Sequence, residues 1–114
     1  MKIKTSELSG VALDWAVAQV SGEFVRIVKG VVKRRFNFQG DWTPSTDWSQ
    51  CGPLIERFEL EITRYNEANW AVIKQWDYDF NDYYPEGETI LIAACRAIVA
   101  SKLGDEVDVP EGLV

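Results

Sequence analysis

Two segments with helix-like spacing of apolar residues, one towards each end of the chain, constrain the fold most. They read ELSGVALDWAVAQVSG (residues 7–22) and TILIAACRAIVASKLG (residues 89–104). In both, apolar side chains recur every three or four positions, which predicts an amphipathic helix. Ser9 is placed to cap the first helix, Gly22 to end it, and Gly104 to end the second. Because an apolar helix stripe must be buried against another layer, both helices need packing partners.

The segments between the two helices show the alternation that is typical of strands. Residues 24–28 and 31–38 predict one hairpin, with a tight turn between them. Residues 56–65 and 69–76 predict a second hairpin, joined by a stretch rich in turn formers. We therefore predict an α+β fold for residues 1–114 as a single domain. An antiparallel sheet of about four strands would pack with two long helices as a layered sandwich.

The segment PSTDWSQCGPLIER, residues 44–57, lies between the two predicted hairpins. Asp47 is followed three residues later by Gln50, which resembles a capping pair at the start of a helix. Pro53 has no N–H and would crowd the carbonyl of Ser49 within a helix. We therefore expect a turn that breaks before Pro53 and a second turn that begins at it.

The sequence contains no histidine, which excludes Ser-His-Asp and Cys-His catalysis within this chain and also histidine-based metal sites. Cys51 and Cys95 are too few for an all-cysteine zinc site, and we interpret each as a small buried hydrophobe. No glycine-rich phosphate motif occurs. The sequence therefore favours a protein with no catalytic residues, cofactor or metal. An enzyme that uses Asp47 and Glu56 stays open, supported only by the polarity of this segment.

Charge is distributed unevenly along the chain, which has 12 basic and 18 acidic residues and a net charge of -6. Lys33, Arg34 and Arg35 stand beside aromatic residues, a mixture typical of proteins that bind single-stranded nucleic acid. However, three adjacent strand residues cannot all share one face, and an acidic protein repels nucleic acid at long range. Nucleic-acid binding by this strand is therefore the alternative function, and nucleic acid is the less favoured partner.

The segment DYDFNDYYPEGE, residues 77–88, is acidic and aromatic. Four of its residues match ligand positions of a calcium-binding EF-hand loop, namely Asp77, Asp79, Asn81 and Glu88. Asp82 occupies the position where that loop needs glycine, so a solvated loop is the better interpretation. Tyr83 and Tyr84 combine apolar area with a polar tip, which predicts a surface that binds a partner protein.

The two ends of the chain predict its location. The stretch MKIKTSELSG is basic but has no apolar run behind it, so we expect no signal peptide. No apolar run approaches the ~18 residues of a membrane span, so we expect no membrane partner. Two cysteines in different segments suit a reducing compartment, which predicts a cytoplasmic protein. The final stretch, DEVDVPEGLV, is expected to be an acidic tail with a few apolar anchors.

Three segments together resemble one family. ELSGVALDWAVAQVSG, PSTDWSQCGPLIER and LIAACRAIVASKLGDEVDVPEGL are similar to the small NinX-type proteins of phages and prophages, whose fold is called the phage ABA sandwich domain. The resemblance implies a phage-derived protein in the bacterial cytoplasm with an α+β layered fold and no assigned catalytic residues. Cys51 departs from the small residue, usually glycine, that this family would have there, which argues against a nucleophilic cysteine. Residues 58–88 show no resemblance.

The family motif implies a functional role for a set of residues in the central segment. These are Ser45, Thr46, Asp47, Trp48, Gly52, Pro53 and Glu56. Together with Tyr83 and Tyr84 they form the predicted binding residues. We therefore expect a small phage or prophage accessory protein that binds a host or phage protein in the host cytoplasm without catalysing a reaction.

Overall fold

The computed structural model describes residues 1–35, 40–64, 66–74 and 85–113. Its three α-helices are α1 (Gly10–Ser21), α2 (Trp48–Arg57) and α3 (Ile90–Leu103). Its strands are β1 (Lys2–Lys4), β2 (Val25–Val28), β3 (Val31–Arg34), β4 (Leu60–Arg64), β5 (Trp70–Lys74), β6 (Glu86–Gly87) and β7 (Glu106–Asp108). Single 3₁₀ turns at Thr5–Glu7 and Glu111–Leu113 complete the described elements.

The two predicted long helices are confirmed, and they pack directly on each other to form the centre of the core. α1 begins after Ser9 and ends at Gly22, whose φ of 82° is the left-handed conformation that favours glycine. α3 begins after Thr89, whose side chain accepts a hydrogen bond from the Ile92 N–H, and ends at Gly104. Side chains with at most 1% exposure line the contact, including Leu13, Ala16, Val17, Cys95, Ile98 and Val99.

The predicted α+β class is confirmed, but the single four-stranded sheet is wrong. The strands form three separate antiparallel sheets, ordered β1-β7, β2-β3 and β4-β5-β6. The two hairpins do not join, because the outer edge of β3 is occupied by the chain that follows it. There the Arg34 N–H donates to the Gly40 carbonyl at 3.0 Å, and the Trp42 N–H donates to the Val32 carbonyl at 2.8 Å. The second hairpin instead extends through β6 and packs on α3.

The two ends of the chain form a ladder that the sequence did not predict. β7 pairs antiparallel with β1, with Ile3 opposite Val107. Val107, Val109 and Leu113 are at most 6% exposed, so they anchor this segment to the core as expected, and the acidic side chains between them are exposed. Apolar residues at every second position explain the strand, because one of its faces lies on the core.

The central helix α2 runs without a break through Pro53, so the predicted interruption is wrong. Pro53 and Ser49 both lie on the exposed side, and the Ser49 carbonyl has no N–H partner at Pro53. Cys51 and Leu54 on the opposite side are buried in the core. This packing stabilises the helix against a penalty of about 3 kcal/mol for an internal proline.

Candidate functional site

The corner segment, residues 42–47, is held against α1 by one buried acidic residue. Asp14 is 3% exposed, and its carboxylate Oδ1 accepts the Ser45 backbone N–H at 2.8 Å. Its backbone carbonyl accepts the Trp42 indole N–H at 3.0 Å. Burial raises the pKa of the Asp14 carboxyl, and hydrogen bonds from Ser45 partly oppose this rise. Asp14 therefore fixes the corner segment in position at the cost of desolvating a carboxylate.

The start of α2 is ordered by side chains that bond back to the corner segment. Asp47 caps the helix, because its carboxylate accepts from the Ser49 N–H at 2.9 Å and from the Ser49 hydroxyl at 2.6 Å. These bonds lower the pKa of Asp47. The Gln50 side chain accepts a hydrogen bond from the Thr43 N–H at 2.7 Å and donates one to the Asp41 backbone carbonyl at 3.0 Å. It therefore links α2 to the chain before it and does not complete the predicted capping pair.

The two cysteines meet inside the core, which their separation in sequence does not reveal. The Sγ atoms of Cys51 and Cys95 lie 4.0 Å apart, and both residues are fully buried between α2 and α3. The hydrogen bond with Cys51 and burial raise the pKa of the Cys95 thiol well above its ordinary value. Both cysteines therefore act as core residues, as the sequence predicts.

One side of the corner segment opens into a cleft of about 390 Å³, which we call the Arg34 cleft. Its lining residues are Glu23, Arg34, Trp42, Asp47, Ser49, Gln50, Pro53 and Leu54. The Arg34 Nε donates to the Glu23 carboxylate at 2.8 Å, and the guanidinium carbon lies 5.4 Å from the centre of the Trp42 ring. The cationic group of this cleft is therefore already paired with an acid and with an aromatic face.

The other side opens into a cleft of about 490 Å³, which we call the Trp48 cleft. Its lining residues are Ser45, Thr46, Trp48, Trp70, Glu88, Thr89, Ile90, Leu91 and Ile92. Trp48 is 57% exposed, the highest exposure of any tryptophan for which the structure describes the side chain. The cleft thus joins the start of α2, the start of α3 and strand β5 around two indole rings.

Gly87 sets the distance between the strands and α3 and thereby places Trp70 at the cleft. Gly87 is the partner of Trp70 in the β5–β6 ladder. A Cβ at Gly87 would lie 2.6 Å from the Ala93 backbone nitrogen and 2.7 Å from the Ile92 side chain. Only glycine allows this close approach. On the outer side, the Arg64 guanidinium lies 4.9 Å from the Trp70 ring centre and holds the indole in place.

The predicted binding residues separate into several groups. Thr46 and Trp48 line the Trp48 cleft. Ser45 also lines it, but this residue is only 4% exposed, and its backbone N–H is hydrogen-bonded to Asp14. Asp47 and Pro53 line the Arg34 cleft.

Two further predicted residues lie on α2 outside both clefts. Gly52 is half-buried, and Glu56 is exposed. The enzyme alternative that joined Asp47 with Glu56 therefore gains no shared cleft from the structure. Tyr83 and Tyr84 lie outside the described residues, as do Asp77, Asp79 and Asn81 of the compared calcium loop.

Sequence reasoning missed Asp14, Trp70 and Gly87. The only signal for Asp14 was that it is a single acidic residue among apolar residues of the first helix. A carboxylate in such a position is rarely buried without a specific partner. Trp70 and Gly87 gave no signal, since each matters through a ladder pairing that the sequence does not specify.

The basic strand that carries the nucleic-acid alternative is partly neutralised. Lys33 Nζ lies 2.6 Å from the Asp41 carboxylate, and Arg34 is paired with Glu23. Within the described ranges no group of three or more acidic, cysteine or histidine side chains is arranged to hold a metal ion. Among the helices in those ranges, none has the length and apolar character needed to cross a membrane.

Comparison with known protein families identifies the family of this chain. The family model described as "Bacteriophage P22, NinX" matches residues 4–102. No curated protein matches the chain. The family match includes residues 58–88, for which the sequence alone showed no resemblance, and it spans every residue that lines the two clefts. Because the match covers most of the 114 residues, the chain belongs to the NinX family of bacteriophage P22.

Proposed function

We propose that this protein is a phage accessory protein that binds a host or phage protein through the Trp48 cleft, in the cytoplasm of the bacterial host and without catalysis. The observation that carries the proposal is the 57% exposure of Trp48 at a cleft that also holds Trp70. A large exposed aromatic side chain is unfavourable in water, and tryptophan is enriched among residues that dominate binding energy. A partner side chain that enters the cleft would cover both indole rings.

The cleft is built on rigid elements, which supports a binding role. Thr89 caps α3 at one wall, and Asp47 caps α2 at the other. The Ser45 side of the cleft is fixed through Asp14, and Trp70 is held by Gly87 and Arg64. A surface fixed in this way loses little conformational entropy when a partner binds.

The cytoplasmic location is supported by the cysteine pair. Cys51 and Cys95 are free thiols with their sulfurs 4.0 Å apart. Thiols at this distance stay reduced in a compartment such as the bacterial cytoplasm, whereas an oxidising compartment would favour their cross-linking. Family membership supports the link to phage biology.

The test is affinity capture from host lysate and from phage-infected lysate, each with and without nuclease. The bait proteins are the unmodified chain, Trp48→Ala, and the control Leu103→Ala, which removes another exposed apolar side chain far from the cleft at the end of α3. We expect a protein captured by the unmodified chain and by Leu103→Ala, regardless of nuclease, and lost with Trp48→Ala.

Two outcomes would contradict the proposal. If Trp48→Ala captured the same proteins in the same amounts, the cleft would not be the binding surface. If capture disappeared with nuclease, the nucleic-acid alternative that uses Lys33, Arg34 and Arg35 would replace it.

A further inference from the structure

Strand β2 presents an open sheet edge that is distant in sequence from the Trp48 cleft. It pairs with β3, and Val28 lies opposite Val31 across a two-residue turn. Both turn residues have positive φ, 52° at Lys29 and 76° at Gly30, as in the tight two-residue turn of a β-hairpin. In such a turn the two flanking residues, here Val28 and Val31, exchange backbone hydrogen bonds. Among the described residues no other strand pairs with β2.

The turn fixes which backbone groups of β2 point outwards. Because hydrogen-bonded and non-hydrogen-bonded pairs alternate, Val28 and Arg26 bond to β3, and Val25 and Ile27 direct their N–H and C=O groups away from it. The Phe24 carbonyl accepts the Arg35 N–H at 2.8 Å, which agrees with this alternation. Four backbone groups therefore lie along one open edge, where they can pair with an added strand.

The side chains beside this edge are apolar and basic. Phe24 is 63% exposed, Ile27 40% and Val28 37%, so these apolar side chains are partly accessible to solvent. Arg26 and Lys29 are exposed, and within the described ranges no carboxylate lies within ion-pair distance of either. By contrast, Lys33 and Arg34 on β3 are each paired with an acid. The unneutralised positive charge of the hairpin thus includes these two exposed residues on the β2 side.

From this arrangement we infer that β2 binds an extended acidic peptide segment, which adds to the sheet as an antiparallel strand. Phe24, Arg26 and Val28 share one face, because alternate strand residues point the same way. The added strand would place an acidic residue opposite Arg26 and apolar residues two positions before and after it, opposite Phe24 and Val28. A second copy of this chain fits less well, since antiparallel pairing of two identical basic hairpins brings like charges together.

The probe is a fluorescein-labelled seven-residue peptide with a central glutamate, valine two positions away on each side and threonine elsewhere. We expect saturable binding by fluorescence anisotropy that weakens as salt is added. Replacing Arg26 by glutamate should weaken binding by about tenfold, through loss of one cross-strand ion pair and gain of a repulsive one. Lys102→Glu makes the same charge change at an exposed position on α3 and should leave binding unchanged.

Backbone pairing is tested with two N-methylated peptides and needs no change to the protein. In the antiparallel register, the threonines next to the glutamate direct their N–H groups to Val25 and Ile27, and the glutamate and valines direct theirs away. N-methylation of the two threonines should abolish binding, and N-methylation of the glutamate should preserve it.

The inference is overturned if the two methylated peptides bind equally well or if Arg26→Glu binds like Lys102→Glu. It is also overturned if a single-stranded oligonucleotide binds Arg26 and the peptide does not. Capture of partners through the Trp48 cleft uses different residues, so either surface can fail without the other.

Discussion

Trp42 and Trp48 stand six residues apart on the two sides of the same corner, yet they face opposite environments. Trp42 is 4% exposed and donates its indole N–H to the Asp14 carbonyl, whereas Trp48 is 57% exposed at a cleft. The first satisfies its polar atom inside the core, and the second leaves its ring in water. The difference shows that residues 42–48 serve two purposes, since one tryptophan holds the corner and the other lies at an exposed surface.

The largest expected effect is from Trp42→Ala. It removes a buried aromatic side chain from the core cluster and leaves the Asp14 carbonyl without its indole donor. We expect a loss of about 3–5 kcal/mol in the free energy of unfolding, measured by urea denaturation. Trp42→Phe keeps most of the volume and should lose only part of this. If Trp42→Ala were as stable as the unmodified protein, the corner would not depend on its buried side.

Gly87→Ala should have the next largest effect, because the added Cβ would meet the Ala93 backbone nitrogen at 2.6 Å, where no rotamer change can relieve the contact. We expect a loss of about 2–3 kcal/mol in the free energy of unfolding. Strand β6 must also move away from α3, which displaces Trp70 and should weaken partner capture. The matched control is Gly112→Ala, whose Cβ would meet no atom within 4 Å. Equal stability of the two variants would contradict the proposed close approach.

Asp14→Ala removes the acceptor of the buried Ser45 N–H. An unsatisfied buried donor costs about 1–3 kcal/mol, so we expect a loss near the middle of that range. Asp14→Asn keeps an oxygen acceptor and should lose less. A loss of equal size in the two variants would show that the hydrogen bond to Ser45 contributes nothing.

A comparison of the unmodified protein with Asp14→Asn at different pH values tests the environment of this carboxyl. Burial raises the pKa of Asp14 in the folded state above its ordinary value of 3.8, so the folded protein holds this proton more tightly than the unfolded chain. This raised pKa therefore adds to the free energy of unfolding. The contribution is fully present below the pKa of Asp14 in the unfolded chain, and it is lost as pH rises through the pKa of Asp14 in the folded protein. The stability of the unmodified protein relative to Asp14→Asn should fall over that interval and then stay constant. A difference that rises with pH would mean that burial does not govern this carboxyl.

The sequence predicts the features that depend on interactions between neighbouring residues, and it does not predict those that depend on contacts between distant residues. The helices α1 and α3 were predictable because apolar spacing and the stops at Gly22 and Gly104 are local. The helical corner was predicted through the cap at Asp47, but the effect of Pro53 was not, because tertiary burial of Leu54 offsets a local penalty. Local signals thus located the helices and overstated the break.

Sheet assembly could not be predicted from the same signals. The pairing of β1 with β7 joins the two ends of the chain, and Gly87 matters only through its approach to α3. At the site, the motif residues Thr46 and Trp48 line one cleft, but their neighbour Trp70 comes from a separate hairpin. Pairings between distant residues therefore determine the arrangement of the sheets and the position of Trp70 at the cleft, which local sequence patterns do not specify.

Trp48→Ala should have the smallest effect on stability, and this sharpens the comparison with Trp42. More than half of its side chain is in water, so its truncation removes few core contacts, and we expect a change within about 0.5 kcal/mol in the free energy of unfolding. The same variant should lose partner capture, since tryptophans at binding surfaces contribute far more to affinity than to folding. The measurement is urea denaturation alongside capture from lysate. A stability loss similar to that of Trp42→Ala would assign Trp48 to the core, and lost capture could then be attributed to unfolding. Loss of capture with unchanged stability separates the two tryptophans, because a folded protein without its exposed indole lacks only the surface.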